Sequence, residues 1–204
     1  MFKSALRRLL GGFALALSIT PSAHAGVLNL PNFVEVGAWG FAVEPQITLT
    51  SGAGLSGTGK FTYGLNELSN LQLGVGTGSG PKQFHAGGAL TFDFVPDVES
   101  QPGLGVALQA YYQKGALLNQ VELTAIPYLH KEFDTGAGKV DPFLALPIGF
   151  GFEVGQSSNQ YTPISLASVG ATFRSDEAFR YTIELGIAIN NTDSYVSGGV
   201  TYRH

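Results

Sequence analysis

Hydrophobic and polar residues alternate along most of this chain. From Leu55 to Leu65, one parity carries Leu55, Gly57, Gly59, Phe61, Tyr63 and Leu65, and the other carries Ser56, Thr58, Lys60, Thr62 and Gly64. A period of two places the two sets on opposite faces of a strand. The pattern recurs: Trp39, Phe41, Val43, Pro45, Ile47 and Leu49 oppose Ala38, Gly40, Ala42, Glu44, Gln46 and Thr48. Near the end, Phe179, Tyr181, Ile183, Leu185, Ile187 and Ile189 oppose Arg180, Thr182, Glu184, Gly186, Ala188 and Asn190. The alternation predicts strands over 36–49, 55–65, 71–78, 83–95, 104–113, 118–133, 140–154, 161–173, 178–190 and 195–204. Short polar or Gly/Pro turns join them, and no helical spacing occurs beyond residue 25. Run 161–173 is the least regular, with Ile164 and Leu166 on one parity and Val169, Ala171 and Phe173 on the other. A bulge near Ala167 would bring both sets to the apolar face.

One stretch invites a different reading. In GLSGTGKFT, Gly54, Gly59 and Lys60 fit the spacing of a phosphate-binding loop. That loop needs a hydroxyl after the lysine and a helix starting there. Phe61 stands at the hydroxyl position, and strand alternation continues to Leu65, so the stretch reads as strand.

Charge shows which solvent each face meets. Glu44, Lys60, Asp93, Glu122, Glu132, Asp141, Glu153, Arg180, Glu184 and Arg203 all fall on the polar parity, together with His130. Lys131 alone falls on the apolar parity, close to a strand end. A charge at the bilayer midplane on a lipid-facing strand costs roughly 2–4 kcal/mol, a penalty that would produce this segregation. The polar face is also rich in Gly and Ala, as the crowded interior of a small barrel requires. A soluble sandwich or lipocalin-like barrel would instead turn the bulky apolar face inward. Pro45, Pro127, Pro142, Pro147 and Pro163 lie inside or at the ends of runs, where each removes a ladder donor.

Composition agrees with a membrane barrel. Charged residues make up 13% of the chain, about half the usual share, and glycine accounts for 28 of 204 residues. There is no cysteine, which excludes disulfides and thiolate metal sites, and the histidines are too dispersed for a metal centre. No cofactor or metal is expected. Residues 1–25 carry Lys3, Arg7 and Arg8, then the apolar run LLGGFALALSI, then Ala23-His24-Ala25, which reads as a cleaved secretory signal peptide. Residues 26–204 then form a single domain. Its 8 basic against 15 acidic residues leave a formal charge of −7, unsuited to nucleic acid.

The signal peptide, the ten alternating runs and the segment YGLNELSNLQLGVG (63–76) resemble Gram-negative outer-membrane β-barrel proteins of the small porin-like class. The resemblance implies an all-β, closed antiparallel transmembrane barrel of about 10 strands, with 8–12 compatible. It also implies a monomer in the cell outer membrane, surrounded by its lipids. The last run, with Val200 and Tyr202 toward lipid and His204 where the class usually ends in Phe, resembles the strand that the barrel-assembly machinery reads.

Three roles follow as expectations. The polar parity would line a lumen with seven acids against Lys60, Arg180 and Arg203, which suits a small, weakly cation-preferring porin-like channel. The alternative is a non-conducting barrel whose interior is filled by salt bridges, because about ten strands leave little open space. A lipid-modifying enzyme is the least supported: His85 and Ser79 lie near one barrel end, but spacing places no acid to orient the histidine. No catalytic residue is assigned. With both termini in the periplasm, the outer loops are all short, which weighs against a receptor or adhesin.

Overall fold

A computed structural model of the chain describes residues 34–50, 53–80, 82–115, 119–155 and 161–204. The expected signal peptide lies outside the described residues. Twelve strands follow one another: β1 (Trp39–Thr48), β2 (Gly54–Asn66), β3 (Ser69–Gly78), β4 (Phe84–Val95), β5 (Gly103–Lys114), β6 (Asn119–His130), β7 (Phe133–Thr135), β8 (Gly138–Ala145), β9 (Ile148–Glu153), β10 (Tyr161–Arg174), β11 (Phe179–Asn190) and β12 (Tyr195–Arg203). Each wall strand pairs antiparallel with the next, and β1 pairs with β12 to close the sheet. Strands β8 and β9 are two parts of one wall strand between β6 and β10, so the wall has ten strands. The small β7 pairs only with the start of β8 and extends that hairpin beyond the wall. The run expected over 118–133 therefore ends at His130, with Lys131 and Glu132 in the link to β7.

The two parities take opposite sides, as alternation demands. Phe41, Val43, Phe61, Leu73, Leu108, Leu123, Phe150, Ile183 and Val200 are exposed on the outside. Glu44, Lys60, Gln72, Gln109, Glu122, Thr182 and Glu184 are buried inside. Aromatic rings cluster at both ends of the outer band. Trp39 lies 6.4 Å from Phe61 and 6.2 Å from Tyr202, which is 5.4 Å from Phe179, at the end that holds the termini of the wall. Phe84 with Tyr112 and Phe150 with Tyr161 stand at the other end. Amphipathic rings at the two interfaces suit a membrane-spanning barrel.

Strand β10 departs from the expectation. Its parity runs unbroken, so Ile164 and Leu166 face inward with Ser168 and Thr172 and are buried. The register irregularity falls at Ser165/Leu166, not near Ala167: Ser165 is opposite Asn190 and Leu166 is opposite Ala188, so Ile189 on β11 is the extra residue. The Ile164 and Leu166 side chains are both buried, although neither belongs to the apolar cluster of the interior. Ala89, Ala107, Ile126, Tyr128, Phe143 and Ala145 form a buried cluster inside the barrel.

Three of the prolines sit where a ladder is interrupted, whereas Pro142 and Pro163 are paired within the ladders to β10 and β9. Pro147 separates β8 from β9, and Pro127 lies on the facing stretch of β6. The register is the same on both sides, with Ala125 opposite Ile148 and Tyr128 opposite Ala145, so two missing donors share one gap. The Leu146 amide still donates to the Pro127 carbonyl at 2.9 Å, and that of Leu166 to the Pro147 carbonyl at 3.0 Å. Pro45 falls in a second gap, in the closing ladder, between the Val43–Val200 and Gln46–Ser197 pairs.

Candidate functional site

The interior is built in three layers. In the middle, the Lys60 ammonium forms an ion pair with the Glu44 carboxylate, both almost fully buried. They come from adjacent strands, where Ala42 is the register partner of Lys60 and Glu44 that of Thr58. On the neighbouring strands β10 to β12, the Tyr195 hydroxyl donates to Glu184 Oε1 at 2.8 Å, and the Ser168 hydroxyl donates to the same oxygen. Tyr111 reaches toward Lys60 from β5. Its phenol fits because Gly74, two strands away on β3, has no side chain, and a Cβ there would collide with the phenol oxygen.

At the end away from the termini, Lys82 bends inward from the turn between β3 and β4. Its ammonium donates to Gln46 Oε1 at 3.0 Å and lies 5.9 Å from the ring centre of Tyr195. Burial pushes the Lys82 ammonium pKa down to about 8, against the pull of Glu122 and Asp193. Nearby, Gln120 Nε2 donates to Glu122 Oε1 at 2.6 Å, and the His85 Nε2 and Thr58 hydroxyl are 2.8 Å apart. Ser79 is elsewhere occupied, its hydroxyl accepting from the Leu55 amide at 3.1 Å, so it makes no pair with His85. Glu153 stands at this rim, half-buried. The void bounded by Glu44, Lys60, Lys82, His85 and Tyr111 is about 20 Å³, room for roughly one water.

At the terminal end, His130 is held between two carboxylates. Its Nδ1 is 3.2 Å from Asp141 and its Nε2 is 3.5 Å from Asp93. Below them lies the apolar cluster, whose Tyr128 hydroxyl donates to the Phe92 carbonyl at 3.4 Å. Glu132 is on the rim, taking Arg174 on Oε2 at 2.6 Å and Lys139 on Oε1 at 2.5 Å. Arg180 is buried and Arg203 half-buried at the same mouth. Just outside the wall, Lys131 pairs with Asp97, which also accepts from the Glu132 amide at 2.6 Å. Partial burial of Asp97 opposes its ionisation, but these two donors outweigh it and hold its carboxyl below the usual range.

Of the expected lumen residues, Glu44, Lys60, Asp93, Glu122, His130, Arg180 and Glu184 are buried within the barrel; Asp141, Glu153 and Arg203 lie nearer its ends, and Glu132 is on the rim. They form separate groups and do not line one continuous surface. Sequence reasoning missed Lys82, which lies in a turn and so has no strand parity. It also passed over Tyr111 and Tyr195, whose inward parity was legible but whose bulk closes the middle layer. Val200 and Tyr202 face outward, and the His204 ring lies 5.2 Å from that of Trp39.

No protein-family model and no curated protein matches this sequence. Solved structures do match in shape. An outer membrane channel from Pseudomonas putida F1 aligns with a TM-score of 0.52 at 10% identity, over 88% of this chain and 100% of that one. A barrel from work on de novo design of transmembrane β-barrels aligns at 0.42 and 12% identity, over 84% and 98% of the two chains. The N-terminal β-barrel domain of Pseudomonas aeruginosa OprF aligns at 0.36 and 10% identity, over 83% and 98%. With its ten-stranded closed wall, outward apolar band and polar interior, the chain has the fold of the outer-membrane β-barrels.

Proposed function

We propose that this chain is an integral outer-membrane barrel of the porin-like class whose lumen is held shut by its own side chains. The observation that carries this reading is the middle layer, where the Glu44–Lys60 pair, Tyr111 and Lys82 bound a void of about 20 Å³. The apolar cluster around Ile126 and Phe143 forms a second obstruction toward the termini. Charged and neutral solutes alike would have to displace both. His85 bonded to Thr58 and not to Ser79 favours a non-enzymatic role. In this reading the chain is a monomer, inserted through the assembly machinery by its last strand, with Val200, Tyr202 and His204 presented outward or at the strand end.

Single-channel recording on refolded protein in planar bilayers tests this. We expect no steady conductance from the wild type, and stepwise conductance when Lys60→Gly and Tyr111→Gly are combined with Ile126→Ala and Phe143→Ala, which thin both obstructions. Regular open steps in the wild type would sink the closed-lumen reading. They would favour the second reading, a weakly cation-preferring path, which the excess of inward carboxylates over Lys60, Lys82, Arg180 and Arg203 supports. In that case Lys60→Glu shifts the reversal potential toward stronger cation selectivity.

A further inference from the structure

Three arginines end on the inner side of three neighbouring strands. Arg174 closes β10, Arg180 lies at the start of β11 and Arg203 closes β12. Arg174 and Arg180 are direct register partners. Thr201 is opposite Arg180, which puts Arg203 at the next diagonal position. Like charges facing each other across a ladder destabilise a sheet. The row therefore needs negative charge nearby, and the carboxylates that act on it, Glu132 and Asp141 on Arg180 and Glu35 on Arg203, do so through space without an ion pair to Arg180 or Arg203 among the described residues. Both oxygens of Glu132 are already engaged, one by Arg174 and the other by Lys139. Asp141 is directed to His130.

Arg180 is the most constrained of the three. It is 9% exposed, yet its Nε has no hydrogen-bond partner and no carboxylate pairs with it among the described residues. The Nε of Arg203 is likewise without a partner. A buried guanidinium with no carboxylate in contact is costly. All three arginines line one cavity of about 440 Å³ at the terminal mouth, with Glu35 and Glu67 exposed on its rim.

We propose that this mouth is a binding site for a phosphate-type oxyanion, with Arg180 and Arg203 as its principal ligands and Arg174 as a flanking charge. Planar guanidinium groups match the oxygens of a phosphate in pairs, and such charge-assisted bonds are among the stronger ones available to a protein. A free phosphate or phosphomonoester and a lipid phosphate present the same chemistry. The inward position of Arg180 favours the free anion. The site stands whether or not the lumen conducts.

Calorimetric titration of inorganic phosphate into the refolded full chain in zwitterionic detergent, at constant ionic strength, tests the proposal. We expect saturable binding that weakens roughly tenfold or more in Arg180→Gln and in Arg203→Gln, the loss of a hydrogen bond to a charged group. Arg180→Lys, which keeps the charge and loses the fork, falls between. Lys114→Gln, at the opposite end, binds as the wild type does. Heat-modifiable migration on gels checks that each variant is folded; if Arg180→Gln fails to fold, Arg203→Gln decides. A lipid source shows differently: phosphate does not bind in detergent, but nanodiscs with phosphatidylglycerol raise the melting temperature over purely zwitterionic ones, and Arg180→Gln abolishes that rise. The proposal is overturned if neither phosphate nor anionic lipid distinguishes the wild type from the arginine variants. Glu35 and Glu67 would then be the counter-charges.

Discussion

At the scale of single residues, the interior is governed by the cost of burying charge. Glu44 and Lys60 tolerate burial because each is the other's partner. Removing one side leaves the other uncompensated, at about 3–5 kcal/mol for a buried pair. Lys60→Gln should therefore lower stability by that amount in urea unfolding from detergent micelles, and Glu44→Gln with Lys60→Gln together should recover part of it. Lys82 makes a second prediction. Its folded pKa of about 8 lies below the unfolded value, so between about pH 8 and 10.5 the unfolded chain binds more protons. Stability should rise across that window and should rise less in Lys82→Met, as read from urea midpoints at successive pH values. Asp97 has the opposite sense: its depressed carboxyl contributes stability above the ordinary carboxylate pKa that is lost as pH falls through the folded value. Asp97→Asn should flatten the acid limb of the same curve. The inward placement of Glu44, Lys60 and Glu184 was legible from parity alone. That of Lys82 was not, because a turn residue belongs to no face until the turn is folded.

At the scale of elements, alternation located the strands closely, and local chemistry set the exceptions. Pro127 and Pro147 would each spoil a continuous ladder. Facing each other across one gap, they share a single interruption. The sequence lists both prolines but not their register, which depends on how β6 meets the β8–β9 strand. Apolar character alone points Ile164 and Leu166 toward lipid, yet β10 keeps its parity, the extra residue falls on β11, and both side chains are buried inside. Glycines carry a comparable distinction. A Cβ on Gly149 would run into the Leu123 carbonyl of β6, whereas one on Gly57 meets open space. Gly149→Ala should cost about 1–3 kcal/mol, the range for overpacking, and reduce refolding yield. Gly57→Ala should leave the yield unchanged; equal losses in both would refute the steric argument.

At the scale of the whole molecule, closure of β1 on β12 makes the interior an enclosed volume, and what fills it determines function. Circular dichroism of the refolded protein should show β-structure with little helix, and unheated samples should migrate anomalously on gels. Substantial helix, or recovery as a soluble periplasmic protein, would contradict the barrel. Read by itself, the sequence determined the class of fold, the ten wall strands, the solvent each face meets and the absence of thiolate chemistry. These follow from period-two alternation and from the cost of placing charge in lipid, both of which act through local sequence. The tertiary structure alone decided that Glu44, Lys60, Tyr111 and Lys82 meet around one small void, and that Arg174, Arg180 and Arg203 form one row. Those outcomes depend on strand register and barrel diameter, which bring residues far apart in the chain to the same height, and no local pattern encodes that height.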